Sequence, residues 1–109
     1  MRKLEIPDPV GAFIDAVNSH DEIRTLDAFT ENGFVDDWGR KFEGRDAIKA
    51  WSDKEFVGAR GILRPQSVSF DEGTIVVVGD WRSEHASGLS RFEFALEGER
   101  LASMTIRQG

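Results

Sequence analysis

The chain contains no cysteine and no tyrosine among its 109 residues. Without cysteine it can form no disulfide framework, thiolate nucleophile or sulfur-ligated metal site. No apolar run approaches the about 20 residues that span a bilayer. The start MRKLEIPDPV is basic but lacks the apolar segment of a secretory signal. We therefore expect a single cytoplasmic domain, residues 1–109, with no membrane partner.

Basic charge is also scarce, and it is scattered along the chain. Lysine and arginine total 14 against 20 acidic residues, for a formal net charge of -6. Because nucleic-acid affinity depends on clustered positive charge, we predict no nucleic-acid partner. The two histidines, His20 and His85, are far apart in sequence, which argues against a zinc site. No glycine-rich stretch matches a nucleotide fingerprint, and we predict neither a metal nor a cofactor.

The first half of the chain has the periodicity of amphipathic helices. After Asp8-Pro9, a good helix start, one apolar face recurs at helical spacing and comprises Val10, Phe13, Ile14 and Val17. Asp21 and Asp46 are the predicted caps of a second and a third helix. Between them, residues 34–37 and a return strand predict a short hairpin, with Arg40 and Lys41 at its tip.

The second half changes to extended segments separated by turns. The β-branched run of residues 75–78 favours a strand, and residues 88–97 alternate between apolar and charged side chains. Turns at Gly73 and Gly98 are short, so the strands they join should pair antiparallel. Helices followed by such a meander predict an α+β fold, in which a curved antiparallel sheet wraps around three helices.

The order helix, helix, short hairpin, helix and four strands resembles the nuclear transport factor 2-like superfamily, in its SnoaL-like branch. The resemblance is carried by the segments AFIDAVNSHDEIRTLDAFTENGFVDDWGRKFEGRDAIKAWSD and SRFEFALEGERLASMTI. It implies a cone-shaped α+β barrel with an internal apolar pocket and a homodimer built on the outer face of the sheet. A small apolar or aromatic molecule is the partner that such a pocket implies.

The resemblance also implies a set of substrate-binding residues, most of them aromatic. They are Phe13, Val17, Trp51, Phe56, Trp81, Phe92 and Phe94. Trp38, His85 and Ser90 are further candidates for substrate binding. For each ring, filling of the core is the competing interpretation. Trp38 could close the pocket or cover the core from outside. His85 lies in a predicted turn, at what would be the pocket mouth.

Two neighbouring acids, Asp36 and Asp37, are the candidates for chemistry. Successive residues of a strand point to opposite faces, so the two carboxylates cannot share one pocket. Alternation alone leaves open which of them faces inward. The resemblance to ketosteroid isomerases places the general base on Asp37. In such a pocket a carboxylate loses hydration, its pKa rises, and it accepts a proton more readily near neutral pH.

The same resemblance argues against a steroid isomerase. The tyrosine that donates to the enolate in that family falls on Phe13, and the protonated aspartate falls on Ser90. SnoaL-like polyketide cyclases need little beyond the acid/base aspartate, and candidate assisting donors here are Trp51, Gln66, Ser90 and His85. The aspartate–arginine–aspartate set of related epoxide hydrolases is not reproduced by the spacing of Asp80 and Arg82. A non-catalytic ligand-binding or dimerisation module remains the alternative to an enzyme.

Overall fold

The computed structural model describes residues 5–109 of the chain. This part folds into three helices and six strands. They are α1 (Asp8–Asn18), α2 (Glu22–Asp27), β1 (Phe29–Asp37), β2 (Arg40–Glu43), α3 (Arg45–Glu55), β3 (Ile62–Asp71), β4 (Thr74–Arg82), β5 (Ser87–Glu97) and β6 (Arg100–Gln108). The predicted α+β fold is confirmed. No helix in the described chain is long and apolar enough to cross a membrane.

The strands form one curved, unclosed sheet in the order β2-β1-β6-β5-β4-β3. All the ladders between consecutive strands are antiparallel, as the short turns predict. The ladder between β1 and β6 is parallel, so the sheet is mixed and not antiparallel throughout. No hairpin joins these two strands, and turn chemistry therefore places no constraint on their relative direction.

Of the three aspartates at the predicted helix starts, only Asp21 is a cap. Asp21 caps α2 by accepting a hydrogen bond from a backbone N–H, at 3.1 Å. Asp8 and Asp46 lie inside the first turns of α1 and α3, where a carboxylate still interacts favourably with the helix dipole. The cap position of α3 is Gly44, whose N–H donates to the Gly33 carbonyl at 2.8 Å and so fixes the start of α3 against β1.

The β1–β2 hairpin turns two residues earlier than the sequence predicts. Asp37 pairs with Arg40, so the two-residue loop is Trp38-Gly39, with φ of 54° and 91°. Positive φ at both positions is typical of the type I′ turn, whose twist matches that of the flanking strands. Arg40 and Lys41, the predicted tip, are instead the first residues of β2.

The core lies between the helices and the inner face of the sheet. Along β4, buried residues alternate with half-buried ones, and Val77 and Trp81 point inward while Val76 and Val78 lie on the outer face. Phe13 of α1 is central to the core, with ring centroids 5.5 Å from Phe29 and 5.7 Å from Phe94. The helices therefore cover one face of the sheet and leave the other uncovered by any described residue.

Candidate functional site

A cavity of about 540 Å³ opens at one end of the fold. Five parts of the chain form it: the β1–β2 hairpin, the end of α3, the end of β4 with the β4–β5 loop, the first half of β5 and the end of β6. Its wall comprises Asp37, Trp38, Arg40, Trp51, Glu55, Phe56, Trp81, His85, Ala86, Ser87, Gly88, Leu89, Ser90, Phe92, Ile106, Gln108 and Gly109. The volume is within the range of about 300–1,000 Å³ that is typical of small-molecule sites.

Most of the predicted site residues meet at this cavity. Its wall includes Asp37, Trp38, Trp51, Phe56, Trp81, His85, Ser90 and Phe92. Phe13, Val17 and Phe94 do not reach it; they are almost completely buried in the core. Their side chains pack within the core, where the ring centroids of Phe13 and Phe94 are 5.7 Å apart.

Stacked aromatic rings form the inner wall of the cavity. The ring centroids of Trp51 and Phe56 are 4.8 Å apart, and those of Phe56 and Trp81 are 4.7 Å apart, with interplanar angles of 24° and 16°. Gly61 makes this stack possible, because a Cβ there would lie 2.0 Å from the Trp81 ring. The near-parallel rings favour a flat apolar ligand.

Asp37 ends β1 at the edge of this aromatic wall. Its side chain is only 14% exposed. The Oδ2 atom accepts hydrogen bonds from Trp51 Nε1 at 3.1 Å and from Arg40 Nη2 at 2.6 Å. Within residues 5–109 no hydrogen bond engages Oδ1. The carboxylate is thus held by two donors on one oxygen, while the other oxygen accepts no hydrogen bond from the described residues.

Asp36 points to the opposite face of the sheet. Arg107 donates to both of its carboxylate oxygens, at 3.0 and 3.1 Å, and the Gly39 N–H donates at 2.8 Å. These hydrogen bonds, that from Arg107 foremost, hold the pKa of Asp36 below its ordinary value. The two aspartates therefore have different partners, as expected for neighbours on one strand.

Two charged residues of the site, Arg40 and Glu55, were not among the predicted ones. Arg40 donates to Glu55 through Nη2 at 2.5 Å and through Nη1 at 3.1 Å. His85 Nε2 lies 3.1 Å from Glu55 Oε1, which links the β4–β5 loop to α3. The Arg40 guanidinium holds the pKa of Glu55 below its usual range. A sequence signal existed: Glu55 follows Trp51 by four residues, the spacing of one helix face.

Arg40 bridges two carboxylates, Asp37 and Glu55, through the same Nη2 atom. The spacing of Asp80 and Arg82 predicts that these two residues do not form such a set. They form an ion pair with each other on β4, at 2.9 Å. The set at the cavity is assembled from β1, β2 and α3, so no short spacing reveals it. It fixes two proton-accepting groups beside the space in which a ligand would lie.

The remaining candidates lie at the rim or outside the cavity. Trp38, at the hairpin tip, is 59% exposed and lines the rim, so it does not cover the core. Ser90 lines the wall, but its hydroxyl donates to the Gly88 carbonyl at 3.3 Å. Gln66 lies on β3 and does not line the cavity. Among the described residues, no group of three or more histidines and carboxylates could hold a metal ion.

Known proteins resemble this chain in structure but not detectably in sequence. No family model and no curated protein matches it. A candidate polyketide cyclase from Sinorhizobium meliloti superimposes with a TM-score of 0.81 at 21% identity, over 94% of this chain and 95% of the other. An epoxide hydrolase/cyclase-like enzyme of pyran ring formation in the polyether salinomycin gives 0.82 at 21% identity, over 94% and 88%.

The same fold also occurs as part of a larger binding protein. The orange carotenoid protein of Anabaena (Nostoc) sp. PCC 7120, which binds canthaxanthin, superimposes with a TM-score of 0.81 at 18% identity. The match covers 97% of this chain but 37% of that protein. At such identities the likeness establishes the fold and leaves the activity open. The chain therefore has the nuclear transport factor 2-like fold, in its SnoaL-like form.

Proposed function

We propose that this protein binds a small apolar or aromatic molecule in the cavity and that Asp37 performs acid/base chemistry on it, in an isomerase- or cyclase-like step. The observation that carries the proposal is the Asp37 carboxylate itself. It lies against the aromatic wall, Arg40 and Trp51 orient it, and its Oδ1 has no hydrogen bond among residues 5–109. From the sequence we place this activity in the cytoplasm.

The proposed step is removal of a proton from a carbon next to a carbonyl group of the ligand. Oδ1 of Asp37 takes the proton and returns it to the same or another atom of the same molecule. Two donors on Oδ2 keep the carboxylate in one orientation, which lowers the entropic cost of reaching the reactive geometry. The ligand would remain in the flat slot beside Trp51, Phe56 and Trp81 throughout.

The donors available to the ligand restrict the substrate to one that is already acidic at carbon. Stabilisation of an enolate oxygen by a single preorganised donor is worth about 3–4 kcal/mol. The Trp51 N–H is engaged by Asp37, and the Ser90 hydroxyl by the Gly88 carbonyl. With these two donors engaged, a ligand with a weakly acidic carbon receives less assistance, whereas a β-dicarbonyl or a ketone with an aryl group on its α-carbon needs less.

The structural neighbours support a small-molecule ligand. One binds canthaxanthin, one is a candidate polyketide cyclase, and one takes part in pyran ring formation. The alternative is that this chain binds its ligand without reacting with it. The ion pair between Asp37 and Arg40 favours this alternative, because it neutralises the carboxylate and would equally suit a structural aspartate.

Deuterium exchange into β-tetralone, a bicyclic ketone whose benzylic carbon next to the carbonyl is acidic, separates the two candidates. The wild-type protein in D₂O should accelerate exchange at that carbon, as followed by proton NMR. Asp37→Asn should lose about 10²-fold or more of the acceleration, the range of a general base, while the ketone still binds. Asp36→Asn is the matched control and should retain the rate, because Asp36 faces away from the cavity.

Each other outcome decides against a specific part of the proposal. Binding of the ketone with no accelerated exchange would establish the non-catalytic alternative. Equal loss of rate in both variants would exclude Asp37 as the specific base. Absence of any shift in the indole N–H signals of Trp51 and Trp81 would show that the cavity does not take this class of ligand.

The homodimer implied by the resemblance is a separate part of the proposal. The outer face of the sheet carries Val76 and Val78 next to an ion pair between Arg91 and Glu93, at 2.8 Å. We place a second copy of this chain on that face. A pair of apolar residues flanked by both charge signs is self-complementary, which a two-fold interface requires.

A further inference from the structure

The charged side chains of the cavity wall indicate which class of ligand the cavity binds. This inference rests on the proposed ligand-binding function. Among the described residues, Arg40 is the only lysine or arginine that lines the cavity, and it faces the two carboxylates of Asp37 and Glu55. The side chains of Asp37, Glu55 and Arg40 together therefore carry one net negative charge. The exposed Lys54 precedes Glu55 on α3 but lies outside the wall.

The hydrogen bonds of Arg40 show that its charge is already committed. Nη2 donates to Asp37 Oδ2 at 2.6 Å and to Glu55 Oε1 at 2.5 Å, and Nη1 donates to Glu55 Oε2. Both carboxylates raise the pKa of the guanidinium, Glu55 the more strongly. A carboxylate or phosphate ligand would have to displace one of these acids or lie beside both of them. Either arrangement is electrostatically unfavourable.

A hydrogen-bond donor on the ligand meets the opposite situation. Asp37 Oδ1 lies beside the aromatic wall, and the side chains of Asp37 and Glu55 are only 14% and 16% exposed. Partial burial lowers the screening of the two carboxylates by water and ions. An ammonium or hydroxyl group beside Asp37 Oδ1 would gain a charge-assisted hydrogen bond, while its aromatic body lies in the flat slot.

We infer that the cavity selects ligands by charge: it takes a flat aromatic molecule bearing an amine or hydroxyl group and rejects the matching carboxylate, with Glu55 as the specificity-determining residue. In a ligand without an acidic carbon at this position, Asp37 Oδ1 accepts a hydrogen bond from the donor group instead of a proton from carbon. Glu55 contributes through its own negative charge and by holding Arg40 in a bidentate contact, so that the guanidinium is withheld from an anionic ligand. Trp51, on the same face of α3 as Glu55, presents the ring surface.

A matched series of probes tests this inference: naphthylmethylamine, naphthylmethanol and naphthoate, each substituted at the same ring carbon. Binding is followed through the indole N–H signals of the three tryptophans, all of which line the cavity. The amine should bind most tightly and the carboxylate least. We expect their affinities to differ by about tenfold or more, as expected when one ligand places a negative charge next to a carboxylate of the protein and the other a positive charge.

Two variants with the same change in net charge locate the effect. Glu55→Gln should reduce the preference for amine over carboxylate to within about threefold, because Arg40 is then free to bind the anion. Asp53 lies on the same helix, pairs with Lys49 and does not line the cavity. Asp53→Asn should therefore leave the preference unchanged. As a measurement that needs no variant, added salt should reduce the wild-type preference.

Three results would overturn the inference. Naphthoate binding as tightly as the amine would show that Arg40 is available to anions, while the ligand-binding function would stand. An equal effect of Glu55→Gln and Asp53→Asn would show that only the overall charge of the protein matters. If none of the three probes moves the indole signals, the proposed binding of flat aromatic molecules fails as well.

Discussion

Asp36 and Asp37 show how far one position on a strand changes the role of a side chain. Strand alternation sends them to opposite faces, and each finds a different arginine: Arg107 on β6 for Asp36 and Arg40 on β2 for Asp37. The divergence was predicted from the sequence because it depends on local geometry alone. The arginine partners were not, because strand pairing brings them together.

The pair of Asp36 and Arg107 makes a prediction about acid stability. The pKa of Asp36 is below its ordinary value of 3.8 in the folded protein, so the unfolded chain binds the proton more tightly. The stabilisation is therefore complete above that value and is lost as the pH falls through it toward the lower folded pKa. Wild type should be more stable than Asp36→Asn at neutral pH, and the difference should shrink in acid. Urea unfolding over a pH series measures it.

The control for that experiment removes the partner. In an Arg107→Gln background, Asp36→Asn should change the free energy of unfolding much less, and most of the pH dependence of the difference should disappear. What remains is expected from the Gly39 N–H, which also binds the Asp36 carboxylate. A difference that grows on acidification would contradict the assignment of the pair.

In the β1–β2 hairpin, the residue type that the turn prefers differs from the one that lines the cavity. Trp38 occupies the first loop position with a φ of 54°, where asparagine or glycine is strongly preferred. A bulky residue in the left-handed region costs about 1–2 kcal/mol. The ring nonetheless lies at the cavity rim. We interpret Trp38 as retained for the site at a cost in stability, a pattern common at functional positions.

Trp38→Asn tests this interpretation. It creates an Asn-Gly loop, the preferred type I′ sequence, and should raise the free energy of unfolding by about 0.5–1 kcal/mol. The same variant should weaken the binding of β-tetralone, because it removes a ring from the rim. Trp38→Phe keeps both the ring and the strain, and should leave stability nearly unchanged. Loss of stability in Trp38→Asn, measured by urea unfolding, would show that the exposed indole contributes more than its strained backbone costs.

At the scale of the whole molecule, the sheet separates the proposed ligand-binding cavity from the proposed dimer interface. Its inner face and α3 form the cavity, while the outer face carries the proposed dimer contact. Val78 of β4 lies in the middle of that outer face, between Ser67 of β3 and Arg91 of β5. The β-branched run of residues 75–78 is apolar on both faces of β4, which fits a strand that is covered on both sides.

The dimer prediction uses one substitution on each side of the molecule. Val78→Glu places a charge at the proposed two-fold interface and should convert a dimer to a monomer in light scattering coupled to size exclusion. Ile23→Glu makes the same change on α2, where Ile23 is 74% exposed on the helical side, and should leave the mass unchanged. A wild-type mass of one chain at concentrations of about 100 μM would exclude a stable homodimer.

The sequence by itself determined the fold class, the order of the elements and the opposite orientation of Asp36 and Asp37. Each of these follows from periodicity within a few residues of chain, 3.6 for a helix and 2 for a strand. The distinction between cavity and core was decided only by the tertiary structure. Phe13 and Phe94 have the same aromatic character as Phe56 and Phe92, and only their places along the sheet separate core from cavity wall.

The polar part of the site likewise depends on contacts between distant segments. Arg40 reaches Asp37 because the hairpin turns at Trp38-Gly39, and Glu55 reaches Arg40 because the last turn of α3 packs beside β2. His85 reaches Glu55 from the β4–β5 loop, which is 30 residues further along the chain. Side chains this far apart in sequence meet only when strand register and helix packing are both fixed. Register and packing depend on the free energy of the whole chain and not on that of any one segment.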